Sequence, residues 1–217
     1  MKPIILSIIV CIFFLCGCIE TETRITIEKD GSCTETAIIK APNIIGNEDV
    51  KTRLSELEKN GYTYTIENSG TQQSIKVSKN YKNVKDIYSG SHFDPVTNEL
   101  TQSSSDNIFY SDMNLFFLRK IVYKETILAK KTESFGEFSP LKNIVSRKRI
   151  IDMPYAISNT NADKIEKRTN TAFWDVTSER LDKGFVLEAS CLHINYTAIV
   201  IFILICIIII LMAGKKK

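Results

Sequence analysis

The sequence predicts an α+β fold, in which antiparallel β-hairpins are joined by one or two inserted helices and followed by a C-terminal transmembrane helix. Three observations support this prediction. Residues 23–28 alternate polar and apolar side chains, which is the period-two pattern of a β-strand. Val50, Leu54 and Leu57 recur at helical spacing. Residues 194–213 carry no charge and are rich in Ile and Leu.

The N-terminal part of the predicted domain is a hairpin followed by a helix. An Asp-Gly turn at 29–32 joins the strand at 23–28 to a returning strand at 33–40. Asn47 is a suitable N-cap, and Gly61 is a suitable stop for a helix over 48–60. The chain therefore begins with β structure and then inserts one amphipathic helix.

A second hairpin and several further strands are predicted after this helix. The turn Asn68-Ser69-Gly70 joins residues 62–67 to residues 72–80, and a short helix is expected at 83–88. The polar stretches 89–107 and 130–146 are expected to be surface loops. The remaining strand-like segments lie at 108–110, 114–118, 119–129, 147–153, 171–176 and 185–190.

The first 17 residues have the composition of a signal peptide. One lysine precedes an apolar run of the expected length, and the run ends in Leu15-Cys16-Gly17-Cys18. This ending resembles a bacterial lipobox, which implies cleavage after Gly17 and lipidation of the Cys18 sulfur. The alternative is an uncleaved membrane helix, although fifteen apolar residues are short for a span of about 20.

The C-terminal run predicts the orientation of the whole chain. A helix over 194–213 would suit a bilayer, and the basic tail 214–217 is expected to stay cytoplasmic. A buried core helix is the alternative. Together with the signal peptide, this tail places the domain at 18–193 on the extracytoplasmic side of the cell membrane.

Two of the six cysteines lie in the exported domain after Cys18. An oxidising compartment would permit Cys33 and Cys191 to form a disulfide. Alternatively, Cys33 is an ordinary half-buried strand residue and Cys191 simply lies two residues before the predicted membrane span. The chain has no Cys-x-x-Cys pair and only two histidines, His92 and His193. We therefore expect no structural zinc and no other metal or cofactor.

Charge excludes one class of partner. Four of the 28 Lys and Arg residues lie outside the domain, whereas all 25 Asp and Glu residues lie inside it. A nearly neutral domain has no electrostatic surface for nucleic acid. The one basic cluster is Arg147, Lys148 and Arg149, which could contact lipid headgroups or simply face water as the polar side of a strand.

No catalytic motif is found in the sequence. Nucleophile elbows, phosphate-binding loops and metalloprotease motifs are all missing from it. The carboxylates are scattered, and Asp152 and Asp175 would be the first candidates for a glycosidase pair. Trp174, the only tryptophan, is expected in the core rather than at a sugar-stacking surface. We therefore predict that the protein is not an enzyme.

Several segments together resemble the LppM-type lipoprotein domain family. They are the hairpin with its "IEKDGS" turn, the "LEKNGYTYTIE" segment, and "DMPYAISNTNADKIEKRTNTAFWDV" followed by "GFVLEAS". In that family the last block typically contains Leu-Pro-Gly, an Asn and a Trp, which would correspond to residues 153–155, Asn161 and Trp174. Tyr155 replaces the usual Gly. The resemblance implies an exported α+β domain between a lipid anchor and a membrane helix, and it implies no catalytic residues.

The sequence thus predicts a membrane-anchored surface lipoprotein that acts as a non-enzymatic binding or envelope-support module. Its expected partners are membrane lipid and other envelope proteins. The alternative is an envelope hydrolase that uses paired carboxylates.

Overall fold

The computed structural model describes residues 19–42, 54–70, 72–88, 91–94, 99–102, 108–129 and 145–214. Within these ranges the protein is mostly β, with thirteen strands in three sheets and few helices. The predicted α+β class is therefore wrong. Most of the predicted hairpins are present, but helices contribute little to the described fold.

Seven strands form the larger sheet, sheet 1, in the order β11-β12-β9-β1-β2-β4-β3. Every neighbouring pair is antiparallel except β1 and β9, which are parallel. Its strands are β1 (Ile19–Ile27), β2 (Cys33–Pro42), β3 (Thr63–Ser69), β4 (Gln72–Tyr81), β9 (Val145–Asp152), β11 (Lys164–Glu166) and β12 (Thr171–Asp175).

Four strands form sheet 2, in the order β10-β13-β8-β7 and with every pair antiparallel. They are β7 (Ile108–Leu115), β8 (Leu118–Ile127), β10 (Ile157–Thr160) and β13 (Phe185–Ile194). A separate small hairpin consists of β5 (Ser91–Asp94) and β6 (Glu99–Gln102). This hairpin lies inside the segment 89–107, which the sequence predicted to be a loop.

The helices of the described chain are short or terminal. Helical residues 54–59, here α1, fall within the predicted helix at 48–60, whose first residues lie outside the described ranges. A 3₁₀ helix at Val84–Tyr88 replaces the predicted helix at 83–88, and α2 (Ser178–Lys183) begins at the N-cap Thr177. The last helix, α3, spans Tyr196–Gly214.

The predicted transmembrane helix over 194–213 is wrong. Strand β13 continues to Ile194, and α3 begins only at Tyr196. Within the described residues, no helix combines the length and the apolar character needed to cross a membrane. The predicted signal peptide at 1–17, Cys18, the tail at 215–217 and most of the predicted loop at 130–146 lie outside the described residues.

The main core lies between the two sheets. Alternate residues of β1 and β2 are buried, as a sheet covered on one face requires. They pack in one cluster with inward residues of sheet 2, including Ile121, Tyr123 and Leu187. A second, smaller cluster joins α1 to the other end of sheet 1 through Leu54, Leu57, Tyr62, Ala37 and Val77. Sheet 2 and α1 thus cover neighbouring parts of one face of sheet 1.

Candidate functional site

A groove with a volume of about 390 Å³ lies on the side of sheet 1 where Arg24, Thr26 and Asp152 point. The parallel register places Thr26 beside Asp152, and the antiparallel register places Thr171 on the other side of Asp152. Cross-strand neighbours point to the same face of a sheet, so these side chains meet in the groove. The other lining residues are Ile27, Glu28, Met153, Pro154, Glu166, Thr169 and Phe173.

Asp152 is the acceptor at the centre of this groove. Arg24 Nη1 donates to both of its oxygens, at 3.3 Å to Oδ1 and 3.0 Å to Oδ2. Thr26 Oγ1 donates to Oδ2 at 2.9 Å, and Thr171 Oγ1 donates to Oδ1 at 2.7 Å. A carboxylate engaged on both oxygens joins three strands and is poorly placed to act as a general acid or a nucleophile.

Two further acids, Glu28 and Glu166, line the same groove and are exposed. The sequence-based pair was Asp152 and Asp175, and the structure does not bring these two together: Asp175 does not line the groove. Within the described ranges, no group of three or more His, Cys, Asp and Glu side chains is arranged to hold a metal ion. The groove therefore offers hydroxyl and carboxylate groups for binding a polar ligand.

The basic cluster does not form one surface. Lys148 is exposed, whereas Arg149 is 8% exposed and its guanidinium faces Glu125 of sheet 2. Arg147 is half-buried, and its backbone oxygen accepts a hydrogen bond from the Val176 amide. Arg149 is thus unavailable to a lipid headgroup in this structure. Alternation along β9 explains the separation, because successive side chains point to opposite faces.

A buried polar junction lies where the two core clusters meet. Glu35 is 2% exposed, and its Oε2 accepts hydrogen bonds from the hydroxyls of Tyr81 at 3.1 Å and Tyr62 at 3.3 Å. Burial and the nearby Glu35 raise the pKa of Tyr81 far above its ordinary value. The ammonium of Lys79 lies over both tyrosine rings, 4.9 and 5.1 Å from their centroids. The Tyr81 hydroxyl therefore stays a donor, and Glu35 ties the two clusters together by accepting from a tyrosine of each.

The two domain cysteines are buried and carry free thiols in the structure. Cys33 is on β2 and Cys191 is on β13, so they belong to different sheets of the same core cluster. Burial raises the pKa of Cys33 to about 12 and that of Cys191 to about 11. The disulfide between them stays a prediction.

The positions matched to the family block, Asn161 and Trp174, are in contact. The indole Nε1 of Trp174 donates to Asn161 Oδ1 at 3.0 Å, and the Glu188 amide donates to the same oxygen at 2.9 Å. Asn161 Nδ2 donates to the Val186 carbonyl at 2.7 Å. One amide thus connects β12 of sheet 1 to β13 of sheet 2. Trp174 is 2% exposed and is a core residue, as expected.

His193 lies against an aromatic ring. His193 stacks on Tyr155 with ring centroids 4.3 Å apart, and the side chain of His92 is outside the described set. The ring of Tyr155 provides the surface on which His193 rests.

An exposed apolar surface lies at the end of sheet 2 where α3 begins. Phe116, in the β7–β8 turn, is 71% exposed, and Met113 and Leu115 are each more than half exposed. Phe117 packs edge-to-face on Phe202 of α3, with ring centroids 5.3 Å apart. Sequence reasoning missed this surface because it assigned 114–118 to a strand. The available signal was a turn, Phe116-Phe117, without the glycine, asparagine or proline that turns ordinarily contain.

Comparison with known proteins identifies one weak structural likeness. No family model matches the chain, and no curated protein matches it. The NMR structure of the folded domain of Mycobacterium tuberculosis LppM is similar with a TM-score of 0.42 and 10% sequence identity, over 84% of this chain and 94% of that one. This likeness is too distant to assign a family or a function to the chain.

Proposed function

We propose that the chain is a membrane-associated surface lipoprotein whose β domain is a non-enzymatic binding or envelope-support module. The observation that carries this proposal is the row of exposed apolar side chains on α3. Consecutive residues from Val200 to Ile205 are each about half exposed. At 100° per residue, six consecutive positions cover every side of a helix.

Lipid is the partner that suits such a helix. A groove on a protein covers one stripe of a helix, whereas the apolar residues of α3 lie all around its axis. The acyl chains of lipids are flexible and can pack against any side of such a helix. Tyr196, which is 71% exposed, lies where the domain meets α3, and tyrosine is favoured at the boundary between lipid and water.

The geometry of β1 supports a domain that lies along the membrane. Its nine residues, at about 3.3 Å each, separate Ile19 from Ile27 by roughly 26 Å. Cys18 directly precedes the first end. At the other end, Arg119 Nη1 contacts the carbonyl oxygen of Lys29, and Leu118 pairs with Ile194, two residues before α3. A lipid on Cys18 and the apolar α3 would therefore hold the domain at two separated points.

A non-enzymatic role is supported by the groove itself. Asp152 is engaged on both oxygens by Arg24, Thr26 and Thr171, which leaves it without a free oxygen for a substrate. The other two acids of the groove, Glu28 and Glu166, are exposed side chains in water. The groove suits ligand binding better than acid–base chemistry.

The proposal is tested on the full chain expressed in bacterial membranes. We expect the chain in the membrane fraction, with a mass that lacks residues 1–17 and includes a diacylglycerol on Cys18. The Cys18→Ala variant should lack the mass of the lipid but still contain α3, so that only the lipid attachment is removed. An unmodified Met1 and a chain found wholly in the aqueous fraction would overturn the proposal.

The rival function is an envelope hydrolase, and one observation favours it. The groove brings three carboxyl side chains, Glu28, Asp152 and Glu166, to one cavity. Purified chain incubated with cell-wall glycan should release no reducing ends if the module is non-enzymatic. Release that disappears in both Glu28→Gln and Glu166→Gln would replace the present proposal with the hydrolase.

A further inference from the structure

The outward face of sheet 2 changes from apolar to polar with distance from the β7–β8 turn. The register places Leu115, Leu118 and Ile194 side by side in the row nearest the turn. The next outward row contains Met113, Lys120 and Leu192. The third contains Ser111, Val122 and Ser190, and the fourth contains Phe109, Lys124 and Glu188.

Successive rows are two residues apart along each strand, or about 7 Å. The surface therefore passes from three apolar side chains, through one lysine between two apolar residues, to a third row whose Ser190 is only 4% exposed. In the fourth row the exposed Phe109 stands beside the charged Lys124 and Glu188. Lys124 and Glu188 in the fourth row form an ion pair at 3.0 Å. The step of about 7 Å from the first row to the second, where Lys120 appears, is similar to the thickness of the headgroup region on one side of a bilayer.

Lys120 is well placed for the boundary between acyl chains and headgroups. It is exposed, and its two neighbours in the row are Met113 and Leu192. A lysine at such a boundary lays its aliphatic stem along apolar side chains while its ammonium reaches phosphate and water.

The β7–β8 turn is held against α3. The Asn195 amide donates to the Phe117 carbonyl at 2.9 Å, and the Phe117 ring packs on Phe202. Phe116 packs edge-to-face on Phe117, with centroids 4.9 Å apart. The turn and the first turns of α3 thus form one continuous apolar surface, so a partner that surrounds α3 also reaches the turn.

We infer that Met113, Leu115 and Phe116, here called the apolar tip, insert into the boundary region of a lipid bilayer and add a membrane contact of the β domain to those of α3 and Cys18. Apolar side chains in this position lie about 5–10 Å deep, between the headgroups and the acyl chains. The inference rests on the proposed function, because both place the domain at a membrane. It adds which side of the domain faces the lipid: the β7–β8 end of sheet 2.

Tryptophan quenching in vesicles tests this contact on the full chain. The variant Phe116→Trp is reconstituted in phosphatidylcholine and phosphatidylglycerol vesicles whose acyl chains carry bromine near the headgroup. Leu128→Trp is the matched control, because Leu128 is 59% exposed but lies beyond the opposite end of β8. The parent chain supplies the background of Trp174, which is buried in the core. Phe116 is exposed, so this substitution should preserve the fold.

We expect bromine to quench the Phe116→Trp emission strongly and the Leu128→Trp emission no more than the parent background. If the chain sediments with the vesicles and neither variant is quenched, the tip contact is wrong while the proposed function stands. If the chain does not sediment with the vesicles, the proposed function is wrong. If the Phe116→Trp emission is also unquenched in that case, the tip contact is wrong as well. A blue-shifted Phe116→Trp emission without lipid, together with a dimer mass, would show that a second copy covers the tip.

Discussion

The guanidinium of Arg149 on sheet 1 lies against the carboxylate of Glu125 on sheet 2. Arg149 Nε donates to Oε2 at 3.0 Å, and Nη2 donates to Oε1 at 2.9 Å. Tyr123 adds a third hydrogen bond to the same carboxylate, also at 3.0 Å. Burial acts to lower the pKa of Arg149, but the nearby Glu125, Tyr123 and Glu35 outweigh it and hold the pKa above its ordinary value. The pair is therefore a charged connection through the interior.

Replacing only Arg149 should strongly destabilise the domain. Arg149→Met leaves the largely buried Glu125 carboxylate without its counter-charge, which costs about 3–5 kcal/mol of unfolding free energy. The matched control is Lys148→Met, the exposed neighbour on β9, which should change the stability by less than about 0.5 kcal/mol. Urea denaturation measures both. A double variant, Arg149→Met with Glu125→Leu, should recover much of the lost stability. If Arg149→Met, Lys148→Met and the double variant all lose the same stability, the pairing is contradicted.

Asn161→Ala should cost about 2 kcal/mol, because the change leaves the buried Trp174 indole NH and the Glu188 amide without their shared acceptor. Trp174 is the only tryptophan, so its fluorescence reports the same transition that denaturation measures. Asn159→Ala is the control on the same edge of sheet 2, since the Asn159 side chain is exposed. If the two variants are equally stable, Asn161 does not join the sheets.

Gly184→Ala should destabilise the domain by about 2 kcal/mol. Gly184 has φ +70° and ψ 154°, and an added Cβ would lie 2.9 Å from the Ala129 nitrogen and 3.0 Å from the Ile127 oxygen. Both contacts are backbone atoms that cannot move aside easily. Gly70 has φ +60° with open space around it, so Gly70→Ala should cost only about 1 kcal/mol. Thermal unfolding of the two variants under identical conditions checks this ranking.

The Asp163–Arg180 ion pair should make stability depend on pH in the acid range. The hydrogen bond from Arg180 lowers the pKa of Asp163 below its ordinary value. A depressed folded pKa means that the stabilisation is complete above the unfolded pKa of about 3.9 and is lost as the pH falls through the folded pKa.

We therefore expect Asp163→Asn to be less stable than the parent at pH 7, with the difference shrinking below about pH 4. Denaturant titrations across pH measure it. Placing Asp163→Asn in an Arg180→Gln background should shrink the difference and leave the part that the Asp175 amide contributes through its hydrogen bond to Asp163 Oδ2. An undiminished difference would show that Arg180 is not its source.

The buried thiols should be unreactive in the folded domain. With pKa values raised to about 12 for Cys33 and about 11 for Cys191, almost no thiolate is present at pH 8. Iodoacetamide should label neither residue until urea unfolds the chain, as peptide mass mapping would show. Labelling in urea only after a reductant is added would instead demonstrate the disulfide that the sequence suggested.

Local signals in the sequence predicted the hairpins well. The Asp-Gly turn at 29–32 does join β1 to β2. Of the predicted turn Asn68-Ser69-Gly70, Gly70 lies in the turn after β3 at φ +60°, whereas Asn68 and Ser69 are paired residues of β3. The strand around Trp174 is also present as β12. These features depend on residues close together in the chain, where turn chemistry and alternation are decisive.

Long-range features could not be predicted in the same way. The parallel pairing of β1 with β9 joins residues that are about 125 positions apart, and no local pattern encodes it. The burial of Arg149 follows from that pairing, because it turns one side of β9 toward sheet 2. The groove around Asp152 depends on it too, since Thr26 and Thr171 reach Asp152 from strands on its two sides.

The pairing of β1 with β9 also has a consequence for synthesis of the chain. The first strand to emerge occupies an interior position in sheet 1, and one of its edges stays open until residues 145–152 arrive. Closing so long a loop is entropically slow, and an open strand edge invites pairing with other chains. A nascent chain shorter than about 145 residues thus exposes an unpaired strand edge that can pair with other chains. Tethering the N-terminus, or binding it to a chaperone until β9 is made, would prevent such pairing.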